Sequence, residues 1–198
     1  MKKEKPVYFR YIFLFIFLGI LLSANTIAYH NSIWILNRKT AILTEQLLQL
    51  FQSLLLGLFF LDVLKKSIFA TKIKWLLFLM IFIQVILIFA VHMANIEIRA
   101  NIISMLILLF FCFFYFRNLM KSEPRLILAR SSAFWIVIGI LFCSGIGFPV
   151  ITLIQFIPKT QEYINIRSQV FSICNVGIIV LYIFIIKGYL CLKHQQNL

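Results

Sequence analysis

The sequence is poor in acidic residues and lacks the short motifs that mark common enzymes. Asp and Glu together number 6, against 19 Lys and Arg, in a chain of 198 residues. It contains no glycine-rich phosphate loop, HExxH helix or GxSxG turn. Phosphoryl transfer, zinc proteolysis and serine-type hydrolysis therefore have no residues to carry them. We expect a protein that is not an enzyme and that holds no cofactor.

Cysteine is also scarce, and its spacing excludes two further classes of site. The 4 cysteines contain no C-x-x-C pair. Structural zinc sites and dithiol redox motifs depend on such spacing. Three of the four lie inside apolar runs, where a thiol is a small packing group.

Apolar residues, by contrast, dominate the chain. They make up 63% of it, and the mean hydropathy is +1.01. A soluble domain of this size cannot hide so much apolar surface from water. Six continuous runs approach the roughly 20 residues that a helix needs to cross the hydrocarbon. They are residues 11–28, 46–64, 75–91, 102–116, 133–157 and 170–186.

The runs are continuous rather than alternating, which is typical of helices and not of a barrel. The sequence therefore predicts an all-α, polytopic membrane protein with six transmembrane helices in a single bundle over residues 1–198. The first run follows a basic segment, as in a signal peptide. Because no small-x-small cleavage site follows, we expect a retained signal-anchor helix.

The basic residues collect in alternate loops. With the N-terminus inside, the inner segments hold 14 of the 19 Lys and Arg. The positive-inside rule then predicts that both termini are cytoplasmic, at the bacterial inner membrane. The net charge of +13 suits anionic lipids of the inner leaflet, so we expect no direct binding of nucleic acid.

Asp62 is spaced to pair with Lys65 or Lys66. The basic loops that could contact a protein partner contain Lys65, Lys66, Lys72, Lys74, Arg117, Lys121, Arg125 and Arg130.

The second run opens with polar residues, in the stretch TEQLLQLFQS at 44–53. Glu45, Gln49, Gln52 and Ser53 recur on one face of a helix. That face should look into the bundle, into water or onto a second subunit, because side-chain amides are costly in hydrocarbon. It could hydrogen-bond neighbouring helices or line an outward-facing cavity or pore. Polar groups of other runs that could meet it are Asn25, Gln84, Ser172 and Asn175.

The fifth run is interrupted by small residues and a proline, in the stretch CSGIGFPV at 143–150. Proline removes a backbone donor, and glycine lowers the cost of a bend, so a kink or a broken helix is expected near Ser144–Pro149. Small residues also permit close helix packing, which is the commoner reason for them. The residues of this candidate hinge or solute site are Gly139, Ser144, Gly145, Gly147, Pro149 and Asn175.

Two histidines fall near the outer ends of the first and third runs. His30, Glu45 and His92 could together bind a metal or sense pH. No HxxxH or similar spacing supports this, and we expect no metal site. Isolated histidines at a membrane boundary are usually interfacial residues only.

The layout resembles an uncharacterised family of small multi-helix membrane proteins from Bacteroidota, often encoded near sensor histidine kinases. The resemblance lies in Glu45 opening the second run, Phe134–Trp135 followed by Gly139, and Asn175 leading into Leu181–Tyr182. It implies an accessory or sensory membrane protein, in a signalling operon or a defence operon such as a CRISPR-associated one. A homo-oligomeric pore and a small-solute binding or transport unit remain as alternatives.

Overall fold

The computed structural model contains six α-helices among the residues it describes. Those residues are 8–30, 38–65, 67–89, 96–121, 131–154, 156 and 161–196, with side chains over 8–24, 43–65, 67–87, 102–121, 131–153, 156, 169 and 173–193. In chain order the helices are α1 (Tyr8–His30), α2 (Arg38–Val63), α3 (Ala70–Phe89), α4 (Ile96–Lys121), α5 (Ser132–Ile154) and α6 (Gln161–Gln196). The predicted all-α class is confirmed.

Five of the described helices carry an apolar segment long enough to cross a membrane. The segments are Leu43–Val63, Ala70–Leu87, Ile102–Lys121, Ser132–Leu153 and Ile173–Lys193. The chain is therefore a multi-pass membrane protein. Helix α1 contributes a shorter apolar stretch, Tyr8–Ala24, so the sixth span stays a prediction.

Each helix begins before the apolar run by which the sequence locates it, and α1, α4 and α6 also end beyond theirs. The largest difference is in α6, which has 36 residues where the apolar run covers only 170–186. At about 1.5 Å per residue its length is roughly 54 Å, well beyond the ~30 Å of the hydrocarbon core. A hydropathy pattern locates only the apolar part of a helix. The backbone bonds of a helix close within the segment and do not require lipid around them.

The helices group into two compact units, Lys5–Ala100 and Asn101–Leu198. The single bundle predicted over 1–198 stays a prediction. In the first unit, α2 packs against both α1 and α3. Its core is aromatic and aliphatic: Phe59 and Phe60 on α2 are fully buried. The ring of Tyr8 on α1 meets that of Phe59 edge-on, with centroids 5.6 Å apart.

A tight connection between α2 and α3 is held by backbone and side-chain hydrogen bonds. The Ser67 N–H donates to the Leu64 carbonyl at 2.9 Å. The Ser67 hydroxyl accepts from the Phe69 N–H at 3.2 Å, which is the i, i+2 bond of a serine turn just before α3 begins. These bonds satisfy backbone groups that helix ends otherwise leave open. They fix α3 as the antiparallel neighbour of α2.

In the second unit, α5 lies along α6, with glycines where the two helices approach most closely. A Cβ at Gly139 would lie 2.8 Å from the Phe184 Cβ, and one at Gly188 would lie 2.9 Å from the Ser132 carbonyl oxygen. The buried Cys112 thiol of α4 donates to the Val137 carbonyl at 3.8 Å. Close packing is therefore the role of Gly139 on α5.

Helix α5 runs without interruption from Ser132 to Ile154, with Pro149 inside it. The break expected near Ser144–Pro149 is not found. Proline cannot donate to the carbonyl four residues earlier and crowds it sterically. That residue is Gly145, which is exposed, and a Cβ added to it would meet no other atom within 4 Å. A glycine at this point leaves the backbone room to accommodate the proline ring.

The contrast between Gly139 and Gly145 yields a test of α5–α6 packing. Gly139→Ala should lower the free energy of unfolding by about 1–3 kcal/mol, because the added methyl group overpacks a filled interface. Gly145→Ala is the matched control on the same helix. It should be neutral or stabilising by up to about 1 kcal/mol, since alanine is the better helix former. Unfolding in mixed micelles measures both, and equal effects would contradict close packing at Gly139.

Candidate functional site

The polar residues at the start of α2 form a chain of hydrogen bonds along the helix. The Gln49 amide (Nε2) donates to Oε1 of Glu45 at 3.4 Å. One turn further on, the Ser53 hydroxyl donates to the backbone carbonyl of Gln49 at 2.9 Å. Glu45, Gln49 and Gln52 are partly buried, whereas Ser53 is buried. The stripe thus runs from a partly exposed flank of the helix into its packed face.

Ser53 is the point at which the stripe meets a second helix. Nε2 of Gln84, on α3, donates to the Ser53 hydroxyl oxygen at 3.0 Å. Both side chains are buried, with 7% and 6% of their surface exposed. The hydroxyl accepts from α3 and donates to α2, so its donor is used and one lone pair is engaged. Of the polar groups that could meet the stripe, Gln84 does so, and at Ser53 the stripe joins two helices.

Gln46 is the polar residue of α2 that sequence reasoning left out of the stripe. Only 5% of its surface is exposed, and among the described residues neither Nε2 nor Oε1 has a hydrogen-bond partner. Burying a hydrogen-bonding group without a partner costs about 1–3 kcal/mol. The signal was present in the sequence, because Gln46, Gln49 and Ser53 also recur at i, i+3 and i+7. The face defined by Glu45 and Gln52 does not include Gln46, so the second periodic pattern was not considered.

The described basic residues around the α2–α3 connection, Lys65, Lys72 and Lys74, are exposed. Lys72, Lys74 and the neighbouring Trp75 all lie on the surface of α3. The Lys65 ammonium pairs with the Asp62 carboxylate at 2.9 Å, as the spacing predicted. Such an exposed pair adds little stability.

The other predicted basic loop lies partly beyond what the structure describes. In the second unit, Arg117 and Lys121 are exposed at the end of α4. Three residues of the predicted partner-contact loops, Lys66, Arg125 and Arg130, lie outside the described residues.

An aromatic ladder on α5 and α6 escaped the sequence reasoning. The Lys187 ammonium lies 3.7 Å from the centroid of the Trp135 ring. That ring stacks on Phe184 at 5.8 Å, and Phe184 stacks on Phe142 at 6.0 Å. A lysine over an indole face is a cation–π contact. The available signal was a Trp near the start of α5 and a Lys near the end of the apolar run of α6, ends that meet in an antiparallel pair.

The residues of the candidate hinge or solute site lie in different environments, some buried and some exposed. Gly147 is buried and a side chain there would meet Met105 of α4, and Ser144 is also buried. Pro149 and Asn175 are exposed, as is Gly145. The described contacts therefore do not bring this set into one enclosed site.

The predicted outer group of His30, Glu45 and His92 falls mostly outside the described side chains. His92 is not described, and His30 is described only as the last helical residue of α1. Among the described residues there is no group of three His, Cys, Asp or Glu that could hold a metal ion.

Comparison with known protein families, with curated proteins and with solved structures found no match to the chain. The polar face of α2 and the exposed basic residues are therefore interpreted from their own chemistry.

The bond between Ser53 and Gln84 can be tested by a double-mutant cycle. Ser53→Ala and Gln84→Leu should each destabilise the protein, and the two effects should be non-additive by about 0.5–2 kcal/mol. Unfolding in mixed micelles gives the coupling energy. Ser23→Ala is the matched control, since that hydroxyl donates only to the Gly19 carbonyl of its own helix at 3.0 Å. Additivity of Ser53→Ala with Gln84→Leu would contradict the interhelical bond.

Proposed function

We propose that this protein is a non-enzymatic accessory or sensory protein of the bacterial inner membrane that acts by contacting other proteins. The observation that carries the proposal is the exposed basic group at the start of α3, formed by Lys72 and Lys74 beside Trp75. Ammonium groups at a helix end reach past the lipid tails to headgroups and to acidic protein surfaces. Trp adds the kind of ring that is enriched in protein contacts.

The proposed orientation places this basic group in the cytoplasm. It assumes that α1 also crosses the membrane, so that six spans leave both termini inside. The distribution of Lys and Arg supports it, with 14 of 19 on the inner side. The resemblance to membrane proteins encoded beside histidine kinases suggests a signalling setting, and a defence operon such as a CRISPR-associated one is the other.

A homo-oligomeric pore lined by α2 is the second candidate. It draws support from Glu45, Gln49 and Gln52, which are only partly buried. Against it, Ser53 is buried and bonded to Gln84 of the same chain, so it has no free face for a shared lumen. Liposome ion flux that disappears in Gln49→Leu and Gln52→Leu would favour the pore. A solute transport unit built on a broken α5 has less support, since that helix is continuous.

The proposed topology predicts the side from which single cysteines react. In a background with the four native cysteines replaced, Ile68→Cys at the exposed α2–α3 connection should be protected from an impermeable maleimide added outside. Phe156→Cys, beyond α5, should be labelled, because three helices separate the two positions. Lys2→Cys should behave like Ile68→Cys if α1 spans the membrane. Labelling of Ile68→Cys and Phe156→Cys from the same side would contradict the topology.

The partner-binding role predicts a difference between two exposed positions of α3. A photo-reactive phenylalanine analogue at Lys74 should form a discrete protein adduct in living cells. The same analogue at Phe82, exposed in the apolar stretch of the helix, is the matched control and should label lipid only. Lys72→Glu should reduce the adduct several-fold, because complementary charge steers such encounters. Identical adducts at both positions would contradict the proposal.

A further inference from the structure

The carboxamide of Gln46 is buried inside the first unit and has no partner among the described residues. From this we infer that Gln46 binds a small neutral molecule that both donates and accepts hydrogen bonds. The site would not depend on the partner-binding role of the basic residues. Gln46 lies near the start of α2, whereas the basic residues Lys72 and Lys74 follow its other end.

Neither lipid nor a second protein chain can supply what Gln46 lacks. Lipid tails offer no hydrogen bonds, so contact with lipid would not replace the bonds to water that the amide loses on burial. With only 5% of its surface exposed, the side chain cannot reach a helix outside its own chain. No described residue supplies a partner, and a molecule small enough to enter the fold can do so.

Other polar residues of α2 lie close to Gln46 at the start of the apolar segment. That segment begins at Leu43, so Gln46 lies about one turn inside. Glu45 and Gln49 are partly exposed on the same turn of helix. The Ser53–Gln84 bond lies two turns deeper, about 10 Å along the axis. There the Ser53 hydroxyl accepts from Gln84 and donates to the Gln49 carbonyl, so its one donor is already used.

The chemistry of the site selects a neutral ligand. A carboxamide presents two N–H donors and one acceptor oxygen, so a cation would leave the donors unmatched. An anion would be repelled by the nearby Glu45 carboxylate. A primary amide or an alcohol matches both functions, and water is the smallest molecule that does so.

The test uses the full chain in lipid nanodiscs, with acetamide as the amide probe. Gln46→Met removes the hydrogen bonds and keeps a side chain of similar volume and flexibility. Gln52→Met, on the partly exposed flank of the same helix, is the matched control. Acetamide should raise the melting temperature of the wild type and of Gln52→Met in a saturable way, by about 5 °C near saturation. It should not change that of Gln46→Met.

The sign of the effect of Gln46→Met without probe distinguishes the remaining cases. If acetamide has no effect but Gln46→Met is less stable than the wild type and Gln52→Met is not, water occupies the site and the inference holds. If Gln46→Met melts higher and acetamide has no effect, the amide is simply unsatisfied and the inference is overturned. Should Gln46→Met fail to fold, the side-chain ¹⁵N resonance of Gln46 in the wild type decides. Magnetisation transfer to water or acetamide protons supports the site, and its absence refutes it.

Discussion

The hydrocarbon interior of a membrane offers no hydrogen bonds, and this constraint governs the structure of the chain. Backbone groups must close their bonds within helices, which is why each apolar segment that could cross the membrane lies within one continuous helix. Where a residue cannot form this backbone bond, its neighbours leave room for it. Pro149 has no N–H to offer, and Gly145, the residue whose carbonyl it crowds, has no side chain and open space beside it. Helix α5 therefore remains continuous.

The same constraint produces two kinds of helix contact. In the first unit, α2 and α3 are joined by a bond between polar side chains, Gln84 to Ser53, beside a core of fully buried rings. In the second unit, α5 and α6 are joined by close approach at glycines, as at Gly139. Without a hydrophobic force between helices in lipid, van der Waals packing and interhelical hydrogen bonds are the available sources of stability.

Polar and charged side chains that do not hold the helices together lie both at the surface and in the interior. At the surface, Lys72 and Lys74 carry their charge at the start of α3, where it can meet headgroups or acidic proteins. Lys187 has an indole face beneath it. In the interior, Gln46 retains hydrogen-bonding capacity that no described residue meets. The first set suits contacts with other macromolecules, and the second suits a small molecule. Within the first unit, Lys72 and Lys74 lie at the opposite end of the α2–α3 pair from Gln46.

The helical class, the number of described helices and the location of the apolar segments follow from the sequence alone, because hydropathy adds up locally along the chain. The sequence also includes Gln84 among the groups that could meet the stripe, and it places Asp62 beside Lys65. Other features depend on how each helix is rotated about its axis, which neighbouring helices decide. That rotation buries Gln46 and leaves Gln52 at the flank, although both are glutamines of one helix. It also places Trp135 under Lys187, residues 52 positions apart in the chain. Periodicity defines the candidate faces of a helix, but only packing against its neighbours selects the one that is buried.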